Sequence, residues 1–303
     1  MPELPEVETT KRGLQKEIVG LLIKDVWTDL ATKDKRKHDT VADVKYFPIF
    51  KKQITSKKVL SVERRAKNIL INLSGGKTIL IHMKMTGHLL YGKYILSKKE
   101  NKWSPSQKNS SLTDPFNRFI HVVFTLSNGN YLAFSDARKF GKITLLNTAD
   151  AHTGKHLKDI GPEPLEKSFK FVDFIKQLEK KPRGKIKTVL MDQTVIAGIG
   201  NIYSDEILWM AGVHPERKAL AVKDAELRKI FKAMKETLKK GINLGGDSMS
   251  DYRNLYGNRG KFQLHHNAYQ LTGKVCKKKR CYGKIVRKIV NGRSAHFCSI
   301  HQK

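Results

Sequence analysis

The chain has 303 residues and a large excess of basic over acidic side chains. Its 59 Lys and Arg residues outnumber 28 Asp and Glu residues, which gives a formal net charge of +31 at pH 7. This length is enough for two or three domains, and this charge indicates a polyanionic partner, nucleic acid ahead of a membrane surface. No apolar run approaches the roughly 20 residues of a membrane-spanning helix, and no signal-peptide pattern occurs.

The first candidate for catalysis lies at the N-terminus, where residues 1–6 are MPELPE. Removal of Met1 would leave Pro2 with a secondary α-amine. Such an amine condenses with an aldehyde to an iminium ion, an electron sink that favours bond breaking in an opened sugar. The alternative is that these Pro and Glu residues only begin a helix, with Pro at an early position and Glu in the first turn.

Residues 19–146 have the pattern of short β-strands. Many short apolar segments with regular turns predict a β-sandwich with the first helix laid against it. The Asn-Gly pair within 127–130 is a strong hairpin signal. The other predicted hairpin turn is 74–77, and the polar segments 32–40 and 97–114 are predicted to be surface loops.

The pattern changes in the second half of the chain. Residues 147–164 have the composition of a linker, 169–241 are helical in pattern, and short strands return from about residue 262. The turn Ala197–Tyr203 (AGIGNIY) enters an apolar helix. Backbone N–H groups at such a helix start favour an anion, phosphate being a natural guest, although Gly-x-Gly turns also serve plain packing.

The cysteines are confined to the C-terminal end. Cys276, Cys281, Cys298 and His301 form the pattern C-x4-C-x16-C-x2-H, which fits a tetrahedral zinc site. His296 is a rival ligand, but the Cys-x-x-His spacing favours His301. This clustering argues against a secreted disulfide framework and for a reduced compartment. The alternative is unmetallated thiols packed in a small hairpin.

Together these motifs resemble the formamidopyrimidine-DNA glycosylases, which remove oxidised purines from DNA. The resemblance is carried by residues 1–6, by Ala197–Tyr203, and by the flanking MD and GVHP segments at 191–192 and 212–215. It implies an α+β fold: an N-terminal catalytic β-sandwich with a flanking helix, then a helix–two-turn–helix domain and a zinc-finger-type β-hairpin. The implied boundaries are 1–148, a linker at 149–165, 166–261 and 262–303.

The resemblance also implies roles for individual residues. Pro2 would be the nucleophile, Glu3 the acid/base at the sugar, and Lys67 an assisting group that also contacts phosphate. DNA contacts are implied for Asn201 and Arg293 at phosphates, for Lys187 near the lesion pocket, and for Met85, Arg138 and Phe140, which would fill the gap left by an extruded nucleotide. Segment 245–262 would be the lesion-capping loop, with Tyr252, Arg253 and Tyr256 able to stack on or hydrogen-bond a base.

The predicted function is a bifunctional glycosylase and abasic-site lyase for oxidised purines such as 8-oxoguanine and formamidopyrimidines. The expected partner is damaged duplex DNA, and the expected cofactor is one structural zinc ion. The protein is expected to be a monomer that binds no membrane and is not secreted. Its expected location is the cytoplasm or nucleoid, or the nucleus in a eukaryote. The chain departs from the family's usual four cysteines, so a weaker zinc site or a zincless look-alike stays open. Three alternatives are an oxidised-pyrimidine enzyme of the endonuclease VIII type, a non-catalytic damage sensor, and an RNA-binding zinc-ribbon protein.

Overall fold

The computed structural model describes residues 1–303, apart from the side chain of Lys35. The chain forms two compact units. Unit 1 comprises Met1–Lys158 and Gly245–Lys261, and unit 2 comprises Asp159–Leu244 and Phe262–Lys303. The first boundary falls inside the predicted linker 149–165. Segment 245–261, which the sequence analysis grouped with the helical domain, packs within unit 1.

Unit 1 is built on two four-stranded antiparallel sheets, with strand orders β1-β8-β9-β5 and β10-β4-β3-β2. Its strands are β1 (Ile23–Thr28), β2 (Val59–Arg65), β3 (Asn68–Leu73), β4 (Lys77–His82), β5 (His88–Gly92), β6 (Tyr94–Ser97), β7 (Lys102–Pro105), β8 (Ile120–Leu126), β9 (Tyr131–Ser135) and β10 (Lys142–Asn147). The β3–β4 and β8–β9 hairpins confirm both predicted turns.

The core of unit 1 is apolar and draws on both sheets. β-Branched and aromatic residues suit a pleated, half-buried surface, and opposite residues of β3 and β4 pair as Ile69 with Ile81 and Ile71 with Ile79. The main core also takes Val122, Phe124, Leu132 and Phe134 from β8 and β9 and Val7 and Leu14 from the first helix. The predicted sandwich with a flanking helix is therefore confirmed.

Two helices accompany the sandwich. Helix α1 (Leu4–Glu17) begins as predicted, because Glu6 accepts a hydrogen bond from the backbone N–H of Glu3 in a capping box. Helix α2 (Tyr46–Ile54) was not predicted. Its Pro48 lies in the first turn, where a helix tolerates proline because the missing N–H has no partner there.

The prediction of a surface loop over 97–114 is wrong for its first part. Strands β6 and β7 form a hairpin, with Tyr94 opposite Pro105 and Ser97 opposite Lys102. The ring centroids of Trp103 and Tyr131 lie 5.0 Å apart. The apolar Trp103 side chain gives this polar stretch something to bury, which the surrounding lysines and serines obscured.

Unit 2 contains four helices and a β-hairpin. They are α3 (Phe171–Leu178), α4 (Ile186–Met191), α5 (Asn201–Ala211), α6 (Asp224–Asn243), β11 (Ile285–Val290) and β12 (Arg293–Cys298). Helix α5 is buried on nearly all sides, as its apolar sequence requires. Helix α6 buries one stripe that includes Ile230, Met234 and Leu238.

The predicted α+β fold with a helical region and a C-terminal hairpin is confirmed. Among the described residues, no helix has the length and apolarity to cross a membrane.

Candidate active site and DNA-binding residues

Pro2 and Glu3 lie at the capped start of α1. Both residues are buried, whereas Met1 is 42% exposed. Glu6 is 1% exposed, and its Oε2 accepts from Glu3 N at 2.7 Å. Its Oε1 accepts from the backbone N of Asp247 at 2.7 Å. One buried carboxylate therefore fixes the backbone directly after Pro2.

Lys67 lies in the turn between β2 and β3 and is 5% exposed. Arg64 positions this turn: its Nε bonds Glu8 of α1 at 2.9 Å and its Nη1 bonds Ala66 O at 3.0 Å. Ala66 has a φ of 53°, so the backbone reverses sharply just before the lysine. The turn that presents Lys67 is thus tied to the helix that carries Pro2 and Glu3.

His82 is a residue that the sequence analysis missed. Burial, reinforced by the charges of Lys84 and Lys67, lowers the pKa of His82 to about 3. Its Nδ1 accepts from Lys84 N at 3.0 Å, which assigns the proton of the neutral ring to Nε2. A neutral imidazole N–H beside several ammonium groups is a suitable donor to an anion. The HMKM motif (82–85) was the available signal.

Two turns bring Met85, Arg138 and Phe140 together. Asp136 is 1% exposed, and one of its oxygens accepts from the Thr86 hydroxyl, while the other accepts from Gly141 N at 2.7 Å. This carboxylate joins the turn of Met85 to the turn of Arg138 and Phe140. The Arg138 guanidinium lies 4.5 Å from the centroid of the Phe140 ring.

These three side chains are exposed, as a wedge into DNA requires. Met85 is 37% exposed and Phe140 is 47% exposed. Exposed large apolar side chains on adjacent turns are suited to entering a base stack. The structure places Met85, Arg138 and Phe140 on two turns that Asp136 joins, and their role in DNA binding stays a prediction.

In unit 2, the Gly-rich turn precedes α5 as predicted, with Gly200 as the N-cap. Gln193 closes this turn, because its Nε2 donates to Met191 O and Ile199 O at 2.8 Å and its Oε1 accepts from Gly198 N at 2.9 Å. The sequence analysis missed this role of Gln193.

Asn201 is the first residue of α5 and is half-buried. Its Oδ1 is buried and makes no hydrogen bond within the part of the chain that the structure describes. This oxygen can only accept, so a contact of Asn201 with a phosphate at the helix start would use the Nδ2 donor of the same amide, and that contact stays a prediction.

Lys187 is buried, unlike a lysine that contacts DNA from the protein surface. It is 0% exposed, and its Nζ is ion-paired with Asp205 of α5. Asp205 Oδ2 also accepts from His296 N at 2.9 Å and lies 3.1 Å from His296 Nδ1. Direct contact of Lys187 with DNA would require its ammonium to leave Asp205, and that contact stays a prediction.

Arg293 is exposed at the first position of β12, directly after the hairpin turn. Asn291 and Gly292 both have positive φ values, 45° and 74°, as a tight two-residue hairpin turn requires. The guanidinium fork of Arg293 is thus presented at the hairpin tip, which suits bidentate contact with phosphate.

The four predicted metal ligands meet in one cluster. One ligand atom from each of Cys276, Cys281, Cys298 and His301 lies within 4.8 Å of the others. Individual separations are 3.3 Å from Cys276 Sγ to His301 Nδ1 and 3.6 Å from Cys281 Sγ to Cys298 Sγ. Ligands of tetrahedral zinc, at 2.0–2.3 Å from the metal, are separated by about 3.3–3.8 Å. The cluster could hold a metal ion of this kind.

The surroundings of the cluster favour His301 over His296. His301 Nε2 bonds Trp209 O at 2.9 Å, which turns Nδ1 towards the thiols in the manner of a metal ligand held by an outer hydrogen bond. His296 instead contacts Asp205 and is not part of the cluster. The Cys-x4-Cys loop therefore brings its two thiols to the same cluster.

The basic chain, the glycine turn at a helix start and the Cys/His cluster are together typical of nucleic-acid-binding proteins. The family models that match are the formamidopyrimidine-DNA glycosylase N-terminal domain, over residues 1–143, and the formamidopyrimidine-DNA glycosylase H2TH domain, over residues 160–253.

Relatives of this chain match it along its whole length. The formamidopyrimidine-DNA glycosylase of Pelotomaculum thermopropionicum is 40% identical and the one of Herpetosiphon aurantiacus 37% identical; both alignments cover 100% of this chain, and 99% and 100% of those proteins. The Lactococcus lactis Fpg in complex with abasic-site DNA has a TM-score of 0.82 at 30% identity, covering 99% of both chains. MutM in complex with carbocyclic 8-oxo-G DNA has a TM-score of 0.81 at 31% identity, covering 100% of both.

The chain belongs to the formamidopyrimidine-DNA glycosylase family and is a DNA glycosylase of DNA repair.

Proposed function

We propose that the enzyme excises oxidised purines, 8-oxoguanine and formamidopyrimidines, from duplex DNA and then cleaves the strand as an abasic-site lyase. The observation that carries this proposal is the N-terminus: Pro2 and Glu3 are buried at the start of α1, where Glu6 accepts from Glu3 N, and Met1 is exposed. The DNA-bound relatives described above support the choice of damaged DNA as substrate.

The chemistry assigned to these residues starts once Met1 has been removed. The Pro2 nitrogen attacks C1′ of the damaged nucleoside as the bond from C1′ to the base breaks, and the base leaves with a proton. Glu3, as acid/base at the sugar, then protonates O4′ while the C1′–O4′ bond breaks, which opens the sugar and leaves an iminium between Pro2 and C1′; Lys67 assists. The resulting iminium withdraws electrons from C2′. Loss of the C2′ proton expels the 3′ phosphate by β-elimination, and a second proton loss, from C4′, expels the 5′ phosphate by δ-elimination.

DNA binding is assigned to residues of both units. Asn201 and Arg293 would bind phosphates beside the lesion, Lys187 would act near the lesion pocket, and Met85, Arg138 and Phe140 would occupy the space of the extruded nucleotide. Cys276, Cys281, Cys298 and His301 would hold one zinc ion, which supplies a structural cross-link and takes no part in bond breaking. The enzyme is proposed to act as a monomer.

Borohydride trapping tests the nucleophile. An 8-oxoguanine duplex incubated with enzyme and borohydride should give a covalent complex whose linked residue maps to Pro2. Pro2→Gly should lose the complex and keep most of its DNA affinity, because the phosphate contacts are unchanged. Pro105→Gly, at the end of β7, is the matched control and should trap normally.

Three results would contradict the proposal. They are a full-strength complex with Pro2→Gly, an adduct on an internal lysine, and active enzyme that retains Met1. Faster cleavage of thymine glycol than of 8-oxoguanine would instead reject the purine assignment while leaving the nucleophile in place.

A further inference from the structure

Segment 246–257 of unit 1, which we call the strap, runs along one face of α1. It contacts Glu6, Thr10, Gly13 and Glu17. These positions are spaced by four, three and four residues, so they form a single stripe along the helix. The strap is therefore docked over the full length of the helix that begins directly after Pro2 and Glu3.

Hydrogen bonds hold the strap at the first turns of α1. Asp247 N donates to Glu6 Oε1 at 2.7 Å, and the Tyr252 hydroxyl donates to Glu6 O at 3.0 Å. The other oxygen of the Glu6 carboxylate accepts from Glu3 N at 2.7 Å. Strap and catalytic backbone thus share one buried carboxylate, and a shift of the strap changes the hydrogen bond that orients Glu3.

Close packing holds the rest of the strap. A Cβ on Gly13 would lie 2.9 Å from Leu255 Cδ2 and 3.2 Å from Leu255 Cβ, so any larger residue here would require the Leu255 side chain to shift. Further along, the Tyr256 hydroxyl donates to Glu17 Oε1 at 2.8 Å.

This arrangement corrects one expectation. Tyr252 is 5% exposed and Arg253 is 3% exposed, so neither is available to stack on a base. Tyr256 is more exposed, but its hydroxyl is bonded to Glu17. Tyr252 and Arg253 hold the segment in place instead.

The opposite side of the strap is fixed by an ion pair. Arg253 Nε lies 2.9 Å from Asp114 Oδ2, and the guanidinium lies 4.7 Å from the centroid of the Phe116 ring. Arg253 Nη1 also donates to Ser250 O at 3.0 Å and Tyr252 O at 2.9 Å. One guanidinium therefore shapes the strap backbone and joins it to the segment that precedes β8.

Asp114 is suited to this contact. Burial opposes its ionisation, but hydrogen bonds from Arg253 and from Phe116 N outweigh that effect and hold the pKa of Asp114 below its usual range. Asn117 adds a second link, since its Nδ2 donates to Ser111 O at 2.9 Å and to Gly257 O at 3.4 Å.

The Asp114–Arg253 ion pair adds little stability by its charges alone, because the Asp114 side chain is 23% exposed. The hydrogen bonds that Arg253 Nη1 donates within the strap, and the bond that Asp114 accepts from Phe116 N, do, however, specify one geometry on each side of the ion pair. We propose that Asp114 and Arg253 are a positioning pair for the reaction: they fix the strap, the strap fixes Glu6, and Glu6 orients Glu3 beside the Pro2 nucleophile. This inference rests on the proposed function of Pro2 and Glu3.

The test is Arg253→Met in the full-length protein, measured in single turnover with enzyme in excess over an 8-oxoguanine duplex. Base release should slow about tenfold, since small misplacements of reacting groups have effects of this order or larger. The dissociation constant for DNA should change no more than in Arg36→Met. Arg36 also pairs with an aspartate, Asp34, but at an exposed site, so this control matches the loss of charge.

Two further variants separate positioning from folding. Arg253→Lys keeps the charge and should recover part of the rate. Asp114→Asn alters the more exposed partner, keeps a side chain able to accept from Phe116 N, and tests the same link if Arg253→Met does not fold. In both slowed variants the pH profile of base release should shift, because the surroundings of Glu3 change; a general loss of folded protein would lower the rate without shifting the profile.

The outcomes distinguish the two proposals. If the wild type forms no borohydride-trapped complex at Pro2, the proposed function fails. If the wild type is trapped and both Arg253→Met and Asp114→Asn release base as fast as Arg36→Met, the positioning role alone is rejected.

Discussion

Unit 1 and unit 2 each contain a buried aspartate beside functional side chains, and the two aspartates have different partners. In unit 1, Asp136 accepts from uncharged groups, the Thr86 hydroxyl and the backbone N of Gly141, above a sandwich core shared by two sheets. In unit 2, Asp205 is paired with the charged Lys187. The hairpin there contributes only a few residues to small apolar clusters and ends in the Cys/His cluster.

The sandwich core of unit 1 is held by apolar burial, which needs no metal ion, so unit 1 should keep its order when metal is removed. Ion pairs and thiolate ligands depend on protonation state and on the ion, so the order of unit 2 should respond to both.

The largest expected effect is on the metal site. His301→Ala should reduce bound zinc from about one ion per chain to almost none and weaken DNA binding, because a small segment without its own core relies on the ion. Metal analysis measures the zinc. Hydrogen exchange should accelerate in the β11–β12 hairpin and stay unchanged in β3 and β4.

Two variants accompany this measurement. His301→Cys supplies a fourth thiolate and should retain zinc. His265→Ala removes an exposed histidine of the same unit and should have no effect. Unchanged zinc in His301→Ala would show that His301 is not a ligand.

The second largest effect is the loss of stability when each of the two buried aspartates, Asp205 and Asp136, is replaced by asparagine. Asp205→Asn should lower the free energy of unfolding by about 3–5 kcal/mol, since it leaves the buried Lys187 ammonium facing a neutral amide. Asp136→Asn should cost less, about 1–3 kcal/mol, because only neutral hydrogen bonds are disturbed. Urea denaturation measures both. Equal losses would remove the proposed difference between the units.

The smallest effect concerns acid stability. Hydrogen bonds from Lys185 and Lys288 lower the pKa of Glu216 to about 2. A carboxyl whose pKa is depressed on folding stabilises the protein above its unfolded-state pKa, and this contribution disappears as pH falls through the folded value. Glu216→Gln should therefore lose less stability than the wild type between about pH 5 and pH 2. The difference should stay below about 1 kcal/mol, because the lysines of this partly exposed ion pair are open to solvent. An identical pH dependence in acid titrations would contradict the prediction.

Local patterns in the sequence were sufficient for much of the fold. The Asn-Gly turn and the β-branched segments predicted the sandwich strands, because strand alternation and turn chemistry are properties of neighbouring residues. Likewise the early proline and Glu6 predicted the start of α1, and the cysteine spacing predicted the ligand set. Helix α2 and the β6–β7 hairpin escaped prediction, since their stability comes from burial against distant residues such as Tyr131.

The amino-acid sequence alone specifies which residue types are available for chemistry: an N-terminal proline beside glutamates, a glycine turn, three cysteines and an excess of positive charge. Which of these residues meet is visible only in the folded chain. The fold paired Lys187 with Asp205, joined the turns of Met85 and Phe140 through Asp136, and docked the strap on α1 through Arg253. These contacts join residues far apart in the chain, and their energies depend on burial and distance, which no local pattern specifies.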